Sequence, residues 1–337
     1  MRPMRILIVL LEVVLALVAS SALIRWVMTA YNGQEIEISH VFALRSASEA
    51  KFDDLVAQGA KATGNGAYDL ALDRYEEAQR VMGRMSGSQY DTIQAKRQAV
   101  ADAAEKSGNT ALTLAAYKAL AGTAVLQGDG SLRAHQDDDA LAKYVDAEGY
   151  ASHLTDTKNT VLLEARRGQV YANREKKDYA GAADASLRTI DTLEATGDAY
   201  DPQLTAAYLD LAQTYEDAKD WHNAEETLMT AWRECDKRID YYSRIPGEES
   251  KVSAALSEKD LTLYGLIGVY QQADETDHAL AIAEELYKFL TQNAKPGPEP
   301  GPYRRAQVAR LAFTIAQKAN RPADAVLWRT RLTTRPQ

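Results

Sequence analysis

The sequence predicts an all-α chain of about six helical pairs plus one inserted helix, preceded by a single apolar helix long enough to cross a membrane. Three observations carry this. Beyond the amino-terminal run, apolar residues recur at spacings of three and four, no strand-like alternation persists, and Ala, Leu, Glu, Lys and Gln dominate, which is helix chemistry. Small residues and tyrosines return in one frame, twice at a step of 42 residues. Ile6 to Ile24 is a run of 19 residues interrupted only by Glu12.

That run covers roughly 28 Å at about 1.5 Å per residue, close to the hydrocarbon thickness of a bilayer. Arg2 and Arg5 precede it, and Arg25, Trp26 and Tyr31 follow. A cleaved signal peptide would use Arg2 and Arg5 as its charged start and be cut after Ser20-Ser21-Ala22. The apolar character continues through Leu23, Ile24 and Trp26 to Met28, longer than a signal peptide needs, which favours a retained anchor over residues 1–30. No cysteine lies near the run, so it is not a lipoprotein signal. Positive charge on the short amino-terminal side orients the span with its amino terminus in the cytoplasm. The rest is then expected to be extracytoplasmic, at a bacterial-type inner membrane facing the periplasm. Glu12 is costly inside a bilayer, and Ala16, Ala19 and Ser20 share its helical face, a small-residue stripe that permits close contact with another span. The alternative is a single carboxyl tolerated in a greasy span.

After a juxtamembrane linker over 31–45, the repeats occupy 46–334. Tyr208, Leu211, Ala212 and Tyr215 make one helix face; Trp221, Ala224, Leu228 and Ala231 make the next, with Lys219-Asp220 as the turn. Leu263, Leu266, Ile267, Tyr270, Ala279, Ala283 and Leu286 repeat the pattern, as do Gly59, Gly66, Tyr68, Ala71, Tyr75 and Ala78. Gly168, Tyr171, Tyr179 and Ala182 form a further copy with two extra residues between its helices. Weaker copies run through Gly108-Asn109, Thr113, Tyr117 and Leu120, and through Ala312, Pro322 and Ala325. These residues resemble the tetratricopeptide repeat, which places Leu, Gly/Ala and Tyr on a first helix and Ala twice on a second. Asp201-Pro202 followed by Leu204, Tyr208, Leu211-Ala212 and Tyr215 is similar to the longer variant of kinesin light chains.

With the central second-helix residue as ruler, the copies fall at 71, 113, 182, 224, 279 and 325, in steps of 42, 69, 42, 55 and 46. The ordinary repeat is about 34 residues. The long step leaves room for one inserted helix, Ser131 to Tyr150, opened by Gly128-Asp129-Gly130. The 55-residue step holds a loop at Ile245-Pro246-Gly247-Glu248, and the Pro/Gly stretch 296–302 isolates the last pair. The resemblance implies one continuous α-solenoid.

Chemistry is sparse. The net charge of −9 and pI near 5.2 argue against nucleic acid as a partner, and the single Cys235 allows no internal disulfide. The five histidines show no metal-ligand spacing, and no phosphate-binding or nucleophile motif occurs. Cys235, flanked by Glu234 and Asp236, reads as structural, with its thiol pKa raised by those carboxylates. Asp137-Asp138-Asp139 reads as a solvated helix start. No catalytic, cofactor or metal site is expected.

The family resemblance implies a partner groove on the first helices. In this chain its lining is Leu162, Ala165, Gln169 and Asn173, then Leu209, Gln213, Glu216 and Asp217, then Tyr264, Gly268, Gln271 and Gln272. The Lys/Asn/Arg set with which chaperone-binding members clamp a carboxylate is missing. The amides instead suit an extended peptide backbone, with Leu209 and Tyr264 as apolar contacts; equally, they serve only to solvate the face. From Lys295 to Gln337 there are nine Lys/Arg and two Asp/Glu, a basic end on an otherwise acidic chain. It suits an acidic partner, anionic headgroups or a polar cap. The functional expectation is a non-enzymatic, membrane-anchored scaffold for protein partners. Its alternative is an accessory subunit of a membrane complex held through the Glu12 face; an enzyme whose site arises only from the tertiary fold has no support in the sequence.

Overall fold

The computed structural model describes residues 38–82, 85–155, 159–198, 200–293 and 301–333. The anchor, with Glu12, Ala16, Ala19 and Ser20, lies outside them. Among the described residues no helix is long and apolar enough to cross a membrane.

All regular structure among these residues is helical: α1 Ile38–Gly64, α2 Tyr68–Met82, α3 Gly87–Ser107, α4 Thr110–Arg133, α5 Asp137–Ala151, α6 Thr160–Glu175 and α7 Tyr179–Ala195. Then follow α8 Pro202–Asp217, α9 Trp221–Tyr242, α10 Glu249–Gln272, α11 Thr276–Gln292, α12 Gly301–Lys318 and α13 Pro322–Thr333. Helix thus starts inside the segment expected as linker. The chain falls into two compact units that divide after Ala119, within α4.

Among the described residues one turn is used seven times. A residue in the left-handed region stands at Gly66, Gly108, His135, Lys177, Lys219, Asp274 and Asn320. After each, the next amide donates back to the carbonyl five residues earlier, as from Asp178 to Asn173, from Asp220 to Tyr215 and from Glu275 to Tyr270, all at 2.8 Å. This ends one helix and launches the next. Asp178 and Asp220 then cap the new helices, accepting from the amides of Gly181 at 3.0 Å and Asn223 at 3.2 Å.

These turns correct the repeat frame. Lys177 and Lys219 are 42 residues apart, as are Ala182 and Ala224, so no extra residues separate the helices of the Gly168 copy. The position equivalent to Ala212 is Val170. Nor is the helix after His135 an insertion. Gly128, Ala140, Tyr144 and Ala147 repeat Gly59, Ala71, Tyr75 and Ala78 residue for residue, 69 positions on. Gly128-Asp129-Gly130 lies inside α4 rather than in a break. The second-helix positions are therefore 71, 113, 140, 182, 224, 279 and 325, and the 69-residue step is one of 27 and one of 42. The 27-residue step arises because α4 follows one turn, at Gly108, and enters the next, at His135. The 55-residue step is taken up by longer helices, α9 with 22 residues and α10 with 24, where α6 and α7 have 16 and 17.

In the first unit Ala71, Tyr75 and Ala78 of α2 are fully buried with Ile93, Val100 and Ala104 of α3. Arg97 of α3 donates to Gln79 at 2.8 Å and to the Ala119 carbonyl at 3.2 Å. In the second unit one cluster joins α4, α5 and α6 around Tyr144, and a large one runs through α8 to α13 with Leu228, Leu263, Leu266, Ile267, Leu286 and Trp328. Ala224 is wholly inaccessible, at the meeting of the two helices of its pair.

Candidate functional site: the faces of the first helices

Within the second unit, two ion pairs, each between residues 43 apart, join the first helices α6 and α8. Arg167 Nε sits 2.9 Å from Asp210 Oδ2, and Arg174 Nη2 sits 2.7 Å from Asp217 Oδ2. A further pair ties α12 to α10, where Arg304 Nε meets Asp260 Oδ2 at 2.9 Å. The repeat frame does not announce these pairs; their mark in the sequence is opposite charges 43 or 44 residues apart.

The expected groove residues divide into three groups. Gln169 and Asn173 are buried, 3% and 6% exposed, and offer no groove surface. Gln169 belongs to a buried polar cluster: its Nε2 donates to Glu148 at 2.7 Å, its Oε1 accepts from Arg188 at 2.9 Å, and Arg166 and Arg188 both donate to Glu148. Burial pushes the Glu148 carboxyl up, but hydrogen bonds from Arg188, Gln169 and Arg166 outweigh it and hold it below its ordinary pKa. Ala165 is buried as well.

Gln213 and Gln272 are exposed, and Leu209, Glu216, Gln271 and Gly268 are half-buried. Gln213 Nε2 donates to Asp217 at 3.3 Å, which brings Gln213, Asp217 and Arg174 together. Burial and then the neighbouring Asp217 raise the Glu216 carboxyl. Tyr264 is half-buried and packs with Leu209 against the large core, under the Arg304 guanidinium 4.3 Å from its ring centroid. It is thus partly accessible, as an anchor for a partner must be.

The basic end is less free than its charge suggests. Arg304 is held by Asp260, Arg321 by Asp277 and Asp324. Arg331 bonds Glu284 and covers the rings of Trp328 and Tyr287 at 4.5 and 4.8 Å. Arg310 and Arg329 remain exposed.

Between α6, α7 and α8 the helices leave a cavity of about 230 Å³. Leu163, Val170, Leu193, Ala206 and Ala207 give it apolar walls, and Ser186 and Thr189 of α7 also line it. Its rim carries Glu164, Arg167 and Asp210. Arg167 Nε also donates to Tyr171 Oη at 2.9 Å. Burial raises the Asp210 carboxyl, against the attraction of Arg167. Nothing in the repeat pattern announces this cavity; small Ala206, Ala207 and Ser186 on facing helices are its only mark in the sequence.

Cys235 is inaccessible, between Thr205 of α8 and Thr262 of α10. Burial, then the Glu258 carboxylate, pushes its thiol up to about 11. The cause is the core rather than Glu234 and Asp236, and the thiol is a poor nucleophile. Asp138 and Asp139 at the start of α5 engage Lys176 at 2.7 Å and the Ser131 hydroxyl. Among the described residues no group of three or more His, Cys, Asp or Glu is placed to hold a metal ion.

No family model matches the sequence. No curated protein matches it either. Solved structures do resemble it. BtubC (BKLC) from P. vanneervenii is 14% identical with a TM-score of 0.49, over 74% of this chain and 94% of that one. A kinesin light chain from Podospora anserina with nearly identical TPR-like repeats is 12% identical with a TM-score of 0.47, over 62% of this chain and 92% of that one. Both scores lie below 0.5, and the helical-repeat fold rests on the pairing and turns described above.

Proposed function

We propose that this protein is a non-enzymatic scaffold that holds a segment of a partner protein along the first helices α6, α8 and α10. The observation that supports it is the row of accessible amides and half-buried apolar groups on α8 and α10. Gln213, Gln271 and Gln272 offer hydrogen bonds to an extended backbone; Leu209 and Tyr264 offer contact area. In this reading residues 1–30 anchor the chain in a bacterial inner membrane, with the amino terminus cytoplasmic and the repeats in the periplasm. The small-residue face around Glu12 serves contact with other spans.

Two measurements test it. Photo-crosslinkers placed at Gln213 and Gln272 in cells should attach a discrete protein, while one at the buried Gln169 should not; equal labelling at all three, or none at the first two, refutes the groove. A reporter fused after Gln337 should be active only outside the cytoplasm. Activity inside would refute the location and leave the groove untouched.

A further inference from the structure

We infer that the groove between α12 and α13 docks an amphipathic helix of a second partner protein, one whose apolar stripe is flanked by acidic residues. The site lies apart from the face on α6, α8 and α10 and goes beyond that reading.

The preceding pair of helices shows what such a groove accepts. Asp274 and Asn320 hold the same turn 46 residues apart, so Phe313, Ala325, Val326 and Arg329 stand where Ile267, Ala279, Leu280 and Ala283 stand in α10 and α11. Those four earlier residues are buried, in one cluster with Val308, Ala309, Ala312 and Ile315 of the next helix, α12. Their counterparts are uncovered. Phe313 and Ala325 are half-buried, and Val326 is 66% exposed where Leu280 is 9%. Together with Arg329 they line a groove of about 380 Å³. A terminal pair that merely caps an array needs a polar outer face. This face is apolar along its middle, and its counterpart is closed by one stripe of a helix. Its complement is therefore a helix laid into the groove rather than an extended strand.

Charge selects among helices. Arg329 replaces the buried Ala283, and Arg310 shares the α12 face of Phe313 and Gln317 by helical spacing. Both arginines are exposed, and among the described residues neither has an ion-pair partner, whereas Arg321 is held by Asp277 and Asp324. A second copy docking through the same groove would set these arginines against their own like. A helix with Glu or Asp beside its apolar stripe answers both and covers Val326.

The test uses the purified full chain in detergent and three helical peptides of about 16 residues. One has a Leu stripe flanked by Glu, one the same stripe flanked by Lys, and one the Glu composition with the stripe scrambled. Amide chemical shifts of Phe313, Ala325 and Val326 should saturate with the Glu peptide. The Lys peptide should bind about tenfold more weakly or worse, and the scrambled peptide should not bind. Val326→Gln, on exposed surface, should weaken the Glu peptide about tenfold with the fold intact. Leu327→Gln, also exposed but about 100° further round the helix, should leave it unchanged. Arg329→Glu should turn the preference toward the Lys peptide. Equal binding of the Glu and Lys peptides, no saturable shift, or full binding by the Val326→Gln variant overturns the proposal. So does a dimer of the full chain that Val326→Gln dissolves, which gives the groove to a second copy. Crosslinking at Gln213 and Gln272 reads the other face independently, and either site stands if the other fails.

Discussion

The ring of Tyr144 on α5 occupies the space in which Gly168 on α6 would carry a side chain. A Cβ on Gly168 would overlap the ring, and one on Gly128 would sit 2.7 Å from it. The ring is 1% exposed, and its hydroxyl donates to Asp129 at 2.7 Å, so it has nowhere to go. Gly168→Ala should therefore destabilise the protein by about 1–3 kcal/mol, overpacking outweighing the gain of about 1 kcal/mol in helix propensity. Gly149→Ala, on exposed open surface of α5, should instead stabilise by about 0.5–1 kcal/mol. Opposite shifts in a urea melt are the expected result; shifts of the same sign would place the ring elsewhere.

Lys219 adopts a φ of 61° in the turn between α8 and α9. A non-glycine residue there costs about 1–2 kcal/mol, and glycine brings an unfolded-state entropy cost of about 0.4–1 kcal/mol. Lys219→Gly should accordingly raise stability by about 0.5–1 kcal/mol, and Lys177→Gly, with the same φ, should do the same. Thermal unfolding checks both. A loss of stability in each would mean that these side chains make contacts that outweigh the strain.

Glu148 supplies a pH dependence of known sign. Its carboxyl is 19% exposed, and its folded pKa lies below the ordinary value of 4.5. Stability from its ionised form is therefore complete above 4.5 and is lost as pH falls through the lower folded value. Glu148→Gln should cost about 1–3 kcal/mol at neutral pH, because Arg166 loses its counter-charge and Arg188 keeps only the exposed Asp184. It should also flatten the wild-type decline below pH 4.5 in chemical denaturation. An unchanged acid limb would assign that decline to other carboxylates.

The proposed anchor is tested by Tyr264→Ala with Gln213→Ala. Loss of the Tyr264 ring removes contact area and the face on which Arg304 rests, and partner capture should fall about tenfold or more. Arg329→Glu, on exposed surface at the basic end, should leave capture unchanged. Arg331→Glu is a poor control, since that residue bonds Glu284 and covers Trp328; it should lower the melting temperature by itself. Loss of capture with Arg329→Glu alone would move the contact to the carboxy-terminal end.

The sequence disclosed the helices and their pairing because Ala71, Ala182, Ala224 and Ala279 are all fully buried, and burial of small residues leaves a period. It misled where local chemistry and tertiary packing disagree. Gly128 and Gly130 look like breakers, yet both sit in α4, and Gly128 is small so that Tyr144 can enter. Four of the seven turns place Lys, Asp or Asn in the left-handed region, and a fifth places His, so glycine punctuation marks only Gly66 and Gly108. Gln169 and Gln213 are indistinguishable as residues. Their fates separate because Glu148 and Arg188 close over one of them from other helices. The cavity beside Ser186 was illegible for the same reason, since three helices must meet before it exists.

The 27-residue step has a genetic consequence. Between Lys177 and Lys219 the coding sequence holds one whole copy, and an in-frame duplication or excision of that length leaves complete neighbours on either side. Between Gly108 and His135 the corresponding turn-to-turn segment is the single helix α4. A cut between equivalent turns therefore moves two helices at the regular 42-residue step and one helix at the 27-residue step.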